Sequence, residues 1–183
     1  MPKRTDLTVP EYAQGYLDKA GADDLLQALK KSTKRLKQTL KSIPHKKWDF
    51  AYAEGKWPIR QLVQHMIDTE RVFLFRAVWF SRNDPNPLPG FDENSWAAHA
   101  TANTRKPESL VEEMLTLRKS TEQFFKSLDE EALLRSGISN KNPIGVAAIG
   151  FITAGHTNHH IDILEERYFK KREVRGKKKE VKK

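Results

Sequence analysis

Ile149-Gly150-Phe151-Ile152-Thr153-Ala154-Gly155-His156-Thr157-Asn158-His159-His160-Ile161-Asp162-Ile163 is the stretch that decides the fold. Ile149, Thr153, His156, His160, Ile163 and Arg167 recur at alternating intervals of four and three, the spacing of one face of an α-helix. Two of those core-facing positions are histidines one turn apart. Burying adjacent imidazoles is unfavourable unless their nitrogens find partners. A helix offers two imidazoles to a single metal ion at i, i+4 spacing. The alternative is a pair of buried histidines hydrogen-bonded to carboxylates or backbone.

Outward from this stretch, the same periodicity recurs in three other long segments. Thr8-Val9-Pro10-Glu11 reads as a capping box that opens a short helix through about Ala20, and Gly21 breaks it. A long helix is expected from Asp23 to about Ser42, on the spacing of Leu25, Leu29, Leu36 and Leu40, with Pro44 ending it. Trp57-Pro58-Ile59 starts the second long helix, which stops near Asn83, with Leu62, Met66, Phe73 and Phe80 on its core side. His65 lies beside that stripe, in line with Leu62, Thr69 and Val72, and is the candidate third imidazole. Pro107 begins the third helix, which runs to Leu128, and residues 129–135 have room for one further turn. Asn142-Pro143 is read as the cap of the fourth helix, extending to about Phe169. No strand pattern competes and no repeat is visible. Four long helices and one long crossover, residues 84–105 between the second and third, predict an all-α four-helix bundle.

Composition narrows the chemistry. With 183 residues the chain makes one domain with a real core. It contains no cysteine, so it has no disulfide, no thiolate ligand and no nucleophilic thiol of its own. Met1-Pro2-Lys3-Arg4-Thr5-Asp6 has no apolar leader character, and no stretch is long and apolar enough to span a membrane, so a cytoplasmic location is expected. The formal charge of +9 first suggests nucleic acid. However, residues 170–183 carry nine Lys or Arg against two Glu, and removing that +7 leaves +2 for residues 1–169. The basicity belongs to a terminal tail, expected to be solvated and disordered, which argues against a nucleic-acid-binding body.

The sequence also resembles the DinB-like proteins, metal-binding four-helix bundles found mostly in bacteria. The resemblance spans nearly everything up to Phe169. It is carried by Val9-Pro10-Glu11-Tyr12, by Gly55-Lys56-Trp57-Pro58-Ile59-Arg60 leading into His65-Met66-Ile67-Asp68-Thr69-Glu70-Arg71-Val72-Phe73, by Pro87-Leu88-Pro89-Gly90-Phe91-Asp92-Glu93-Asn94, and by Ala154-Gly155-His156-Thr157-Asn158-His159-His160 with Glu166-Arg167-Tyr168. It implies that one histidine of the second long helix and two of the last bind a divalent cation, which are His65, His156 and His160 here. Spacing and resemblance thus select the same three residues. Three imidazoles suit zinc, nickel, iron and copper alike, and zinc or nickel is the expected ion.

Characterised members of that family include thiol transferases and a mycothiol-dependent isomerase. The resemblance therefore implies a metal-dependent transferase that joins a low-molecular-weight thiol to an electrophilic small molecule. Since the chain lacks cysteine, the thiol must arrive as a cosubstrate. A metal-dependent hydrolase and a non-catalytic metal-binding stress protein are the alternatives. His159 points away from His160 and is expected at the seam or in solvent; His45 and His99 have no partner at ligand spacing. Asp68, Glu70 and Asp162 are nearby carboxylates, none assignable as a base from sequence. A homodimer is expected, from the family habit and from Phe75, Trp79 and Phe80 crowded on one helix. Phe91 to Trp96 are expected to fold over the open side of the metal and wall a substrate pocket.

Overall fold

The structure, a computed structural model, describes residues 2–169; the basic tail falls outside the described residues. Four long helices form the bundle: α2 (Leu25–Ser42), α3 (Ile59–Ser81), α5 (Pro107–Ser127) and α7 (Val146–Ile163). Three short helices accompany them, α1 (Glu11–Asp18), α4 (Glu93–His99) and α6 (Glu130–Leu134). α7 packs against α2 and α3, and α5 packs against the same two, so α2 faces α3 across the bundle and α5 faces α7. α1 lies along the outer side of α7. No helix among the described residues is long and apolar enough to cross a membrane.

Local chemistry sets the helix boundaries. The Asp24 carboxylate accepts from the Gln27 amide at 2.8 Å and opens α2. Pro107 occupies the first turn of α5, where its missing N–H costs nothing. Asn83, with φ of 60°, turns the chain out of α3. The expected capping box at Thr8 does not form: Pro10 precedes α1 without a side-chain cap, and the helix starts at Glu11. Within the 84–105 crossover, Asp92 accepts from the amides of Asn94 and Ser95 and caps α4, which had no apolar periodicity to announce it.

A second expectation is overturned. Residues 142–145 do not begin the fourth helix. They form strand β2 (Asn142–Gly145), paired antiparallel with β1 (Ser136–Ser139). Asn140 and Lys141 join the strands with φ of 48° and 66°, the two left-handed residues of a tight hairpin turn. Four-residue strands containing Gly137, Pro143 and Gly145 have too little alternation to be read from sequence. The hairpin has a positioning role. Leu88 of the crossover donates to the Ile138 carbonyl at 2.9 Å and accepts from the Asn140 amide at 3.0 Å. This pins Pro89-Gly90-Phe91 against the bundle.

α7 is the central helix: every residue from Val146 to Asn158 is buried. Its small residues let neighbours close in. A Cβ at Gly155 would sit 1.7 Å from the Tyr16 carbonyl oxygen. The apolar core is divided into two clusters, one around Leu29, Phe80, Phe125 and Phe151, the other around Leu36, Met66, Met114 and Ile161. Between them runs a polar layer with contributions from each long helix: Ser32, Glu70, Arg118, Thr121 and Thr157. Glu70 and Arg118 form a doubly bonded ion pair, Nε to Oε1 at 2.9 Å and Nη2 to Oε2 at 2.6 Å. Thr121 donates to Glu70 at 2.8 Å, and Arg118 also donates to the hydroxyls of Ser32 and Thr157. The ion pair is fully enclosed, so its charges are neutralised by each other and by hydroxyls.

Candidate metal centre

His65 on α3 and His156 and His160 on α7 meet at the level of this polar layer. One ring nitrogen from each lies within 4.8 Å of the others. The His156 and His160 Nε2 atoms are 3.0 Å apart. Ring centroids are 5.3 Å apart for His65 and His156 and 4.9 Å for His65 and His160. His156 and His160 are buried and His65 is half-buried.

Each ring is held by what surrounds it. Trp57 lies 4.9 Å from the His65 ring, and the Thr69 hydroxyl, one turn along α3, sits 3.5 Å from His65 Nδ1. Tyr16 and Phe73 meet His156 edge-on at 5.3 and 5.6 Å. Thr157, next to His156, is tied to Arg118, so the ion pair fixes the turn that presents the ring. His160 Nδ1 is buried without a hydrogen-bond partner among the described residues.

Burial keeps all three rings neutral. His65 is pushed down to about 4 by desolvation, with Glu93 opposing the shift. His156 lies well below its ordinary value, by desolvation and then by the neighbouring His160 and His65. His160 is lowered by desolvation and by His65 and His159. A neutral imidazole offers a lone pair, and that is the ligating form.

The triad forms part of the wall of a cavity of about 400 Å³. Tyr12 and Tyr16 of α1, Trp57, Thr69, Phe73, Arg76, Gly90, Phe91, Glu93 and Asn140 complete the lining. Phe91 therefore stands where the crossover was expected to reach the site. Trp96 does not: it stacks on Phe91 at 4.5 Å and lines a neighbouring cavity. His159 lies outside the cluster, edge-on to Tyr16 at 5.4 Å. His45 and His99 are exposed and do not belong to the cluster.

None of the three carboxylates named from sequence lines this cavity. Glu70 is consumed by Arg118, Asp162 by Lys19 and Arg35, and Asp68 by Gln64 and Arg71. Glu93, on the first turn of α4, is the acid that does. The sequence signal was the Asp92 cap, which places the next residue at a helix start.

The family model of the DinB superfamily matches residues 28–164. The chain belongs to the DinB superfamily. Its relatives include a protein of Oceanobacillus iheyensis, provisionally named a metal-dependent hydrolase, that is 28% identical over 138 residues, 74% of this chain and 79% of the relative. YfiT of Bacillus subtilis, provisionally named in the same way, is 24% identical over 158 residues, 82% of this chain and 85% of YfiT. The YfiT structure, described as an unusual four-helix bundle topology, superposes with a TM-score of 0.68 at 19% identity, covering 87% of each chain. A mycothiol-dependent maleylpyruvate isomerase superposes with a TM-score of 0.64 at 13% identity, covering 92% of this chain and 64% of that longer one. At these identities the two structures establish the shared DinB fold.

Proposed function

We propose that His65, His156 and His160 hold one divalent cation, zinc or nickel, and that the protein joins a low-molecular-weight thiol to an electrophilic small molecule beside it. The observation that carries this reading is the convergence of three neutral imidazoles on the wall of one aromatic cavity. The donor set fits a cation. Two Nε2 atoms 3.0 Å apart can share an ion at about 2.1 Å from each, and no charged ligand reduces the ion's own charge. When bound, such an ion lowers the pKa of a thiol or a water that reaches it and supplies Lewis acidity.

The chain's own residues divide the remaining work. Trp57, Phe73 and Phe91 give the cavity an apolar wall beside the triad. Tyr16 lines the same cavity, edge-on to His156, where its hydroxyl is placed to donate to negative charge developing on the electrophile. Glu93 stands in the same cavity to take up the proton that a thiol loses. With no cysteine in the chain, the sulfur nucleophile enters from outside.

Hydrolysis is the second reading. The names of the relatives favour it, and Glu93 would serve an attacking water equally well. Protein loaded with zinc or nickel, incubated with several low-molecular-weight thiols and a bimane electrophile, tests the two together. The proposal expects conjugate formation that depends on both thiol and metal and is lost in His65→Ala. Ester cleavage without any thiol would replace it with hydrolysis. Full metal loading with neither reaction across the thiol panel would leave a metal-binding protein without turnover.

A further inference from the structure

Two arginines are buried among the described residues, Arg118 and Arg76. They differ in one respect. Arg118 is matched by Glu70. Arg76, only 8% exposed, has no carboxylate within ion-pair distance among the described residues. Its single hydrogen bond runs from Nη2 to the Pro89 carbonyl at 2.9 Å, and its guanidinium lies 6.0 Å from the Phe91 ring. A guanidinium has five N–H donors, so most of this one's capacity is unspent by the protein and faces the cavities beside it. A buried cation without a counter-ion is destabilising by several kcal/mol in general. The fold tolerates it at one particular spot.

That spot is a junction. Arg76 lines the triad cavity, and it also lines the adjoining cavity of about 380 Å³. Gly90 and Phe91 are the other residues common to both. The adjoining cavity has an apolar wall of Val72, Phe75, Leu88, Phe91 and Trp96, and its second arginine, Arg71, is paired with Asp68 and Glu113. Its one acid, Asp68, is engaged by Gln64 and Arg71. An apolar chamber, an unmatched guanidinium at its mouth and the triad beyond form a graded site. It suits a ligand with an apolar body and an anionic group, planar to match the guanidinium fork.

We infer that Arg76 binds the carboxylate of the electrophilic substrate, and that this substrate is an apolar organic acid whose body occupies the Phe75–Phe91–Trp96 chamber. The inference rests on the reading of the triad cavity as the reaction site. It assigns the second chamber to the electrophile, since low-molecular-weight thiols are polar, and leaves the triad side for the thiol.

The test is calorimetric titration of full-length, chelator-treated protein with phenylacetate and, separately, with phenylacetamide of nearly the same shape. Phenylacetate should bind roughly tenfold or more tightly than the amide. Arg76→Gln should erase that preference, and Arg76→Lys should keep part of it. Equal binding of acid and amide would overturn the inference, as would a preference that survives in Arg76→Gln or no binding of the acid at about 10 mM. The acid–amide contrast is read on the unaltered protein, so a poorly folded variant does not spoil it. Because metal is removed, acid selectivity alongside failed metal uptake would sink the metal reading and leave Arg76 standing. Metal uptake without acid selectivity would do the reverse.

Discussion

Replacing Gly155 by Ala should destabilise the protein, although Ala is the better helix former. Gly155 lies where α1 crosses α7. An added Cβ would stand 1.7 Å from the Tyr16 carbonyl oxygen and 2.6 Å from its carbon. Ordinary carbon contacts lie near 3.5 Å, so α1 would have to retreat by roughly 1.5 Å. The atoms in the way are backbone, so no rotamer change relieves the clash. Retreat would loosen Ala13 and Leu17, the two residues that α1 itself buries. Overpacking of this kind costs about 1–3 kcal/mol, and a rigid neighbour places it at the upper end. Against that stands a helix-propensity gain of about 1 kcal/mol. The net expectation is a loss of about 2 kcal/mol. Gly15 is the internal control. It lies inside α1, and a Cβ there meets nothing within 4 Å, so the same substitution should stabilise by about 0.5–1 kcal/mol. Urea denaturation of both variants, metal-free to remove ligand linkage, gives the comparison. Equal shifts, or a Gly155→Ala protein as stable as the parent, would refute the packing described for α1.

Three further outcomes follow from the polar layer, the triad and the exposed aromatics. Glu70→Gln should cost about 3–5 kcal/mol, because it strands the Arg118 charge in the core; a loss below about 1 kcal/mol by the same assay would show that the pair is not enclosed. The metal-free protein should weaken as pH falls. Burial depresses His65 from 6.5 to about 4, so the unfolded chain takes up the proton first. Its contribution is full above about pH 6.5 and declines to pH 4, a loss of roughly 3 kcal/mol from this residue alone. His156 and His160 shift the same way and steepen the slope, and a flat stability profile between pH 7.5 and pH 5, each value approximate, would contradict the burial of the triad. Light scattering should give the mass of a homodimer, with exposed Phe75 beside half-buried Trp79 as the contact surface; a monomer mass would count against it.

The bundle was legible because its helices bury stripes. Leu25, Leu29, Leu36 and Leu40 announced α2, and all four are buried. Phe80 packs in the core as its stripe position required, whereas Phe75 stays half exposed. α7 was read as amphipathic on the spacing of its histidines, yet it is buried on every side from Val146 to Asn158. Periodicity cannot register a helix that has no polar face. The hairpin escaped because its turn, Asn140-Lys141, lacks the glycine that marks such turns, and its strands are short. At the site, ligand spacing along α7 is a local property and could be read directly. Which carboxylate faces the cavity depends on how helices pack, so Glu93 was missed. Arg118 is similarly silent in sequence: it sits among Met114, Thr121 and Phe125 and pairs with an acid 48 residues away.

The most direct test of the central claim is elemental analysis of protein purified without a nickel column. About one equivalent of a divalent metal per chain is predicted, or stoichiometric uptake of added zinc or nickel after chelation. His160→Ala should lose most of it, while His159→Ala, outside the cluster, should keep most of it. A protein that takes up no divalent ion, or one in which His159→Ala loses more metal than His160→Ala, would contradict the assignment of His65, His156 and His160.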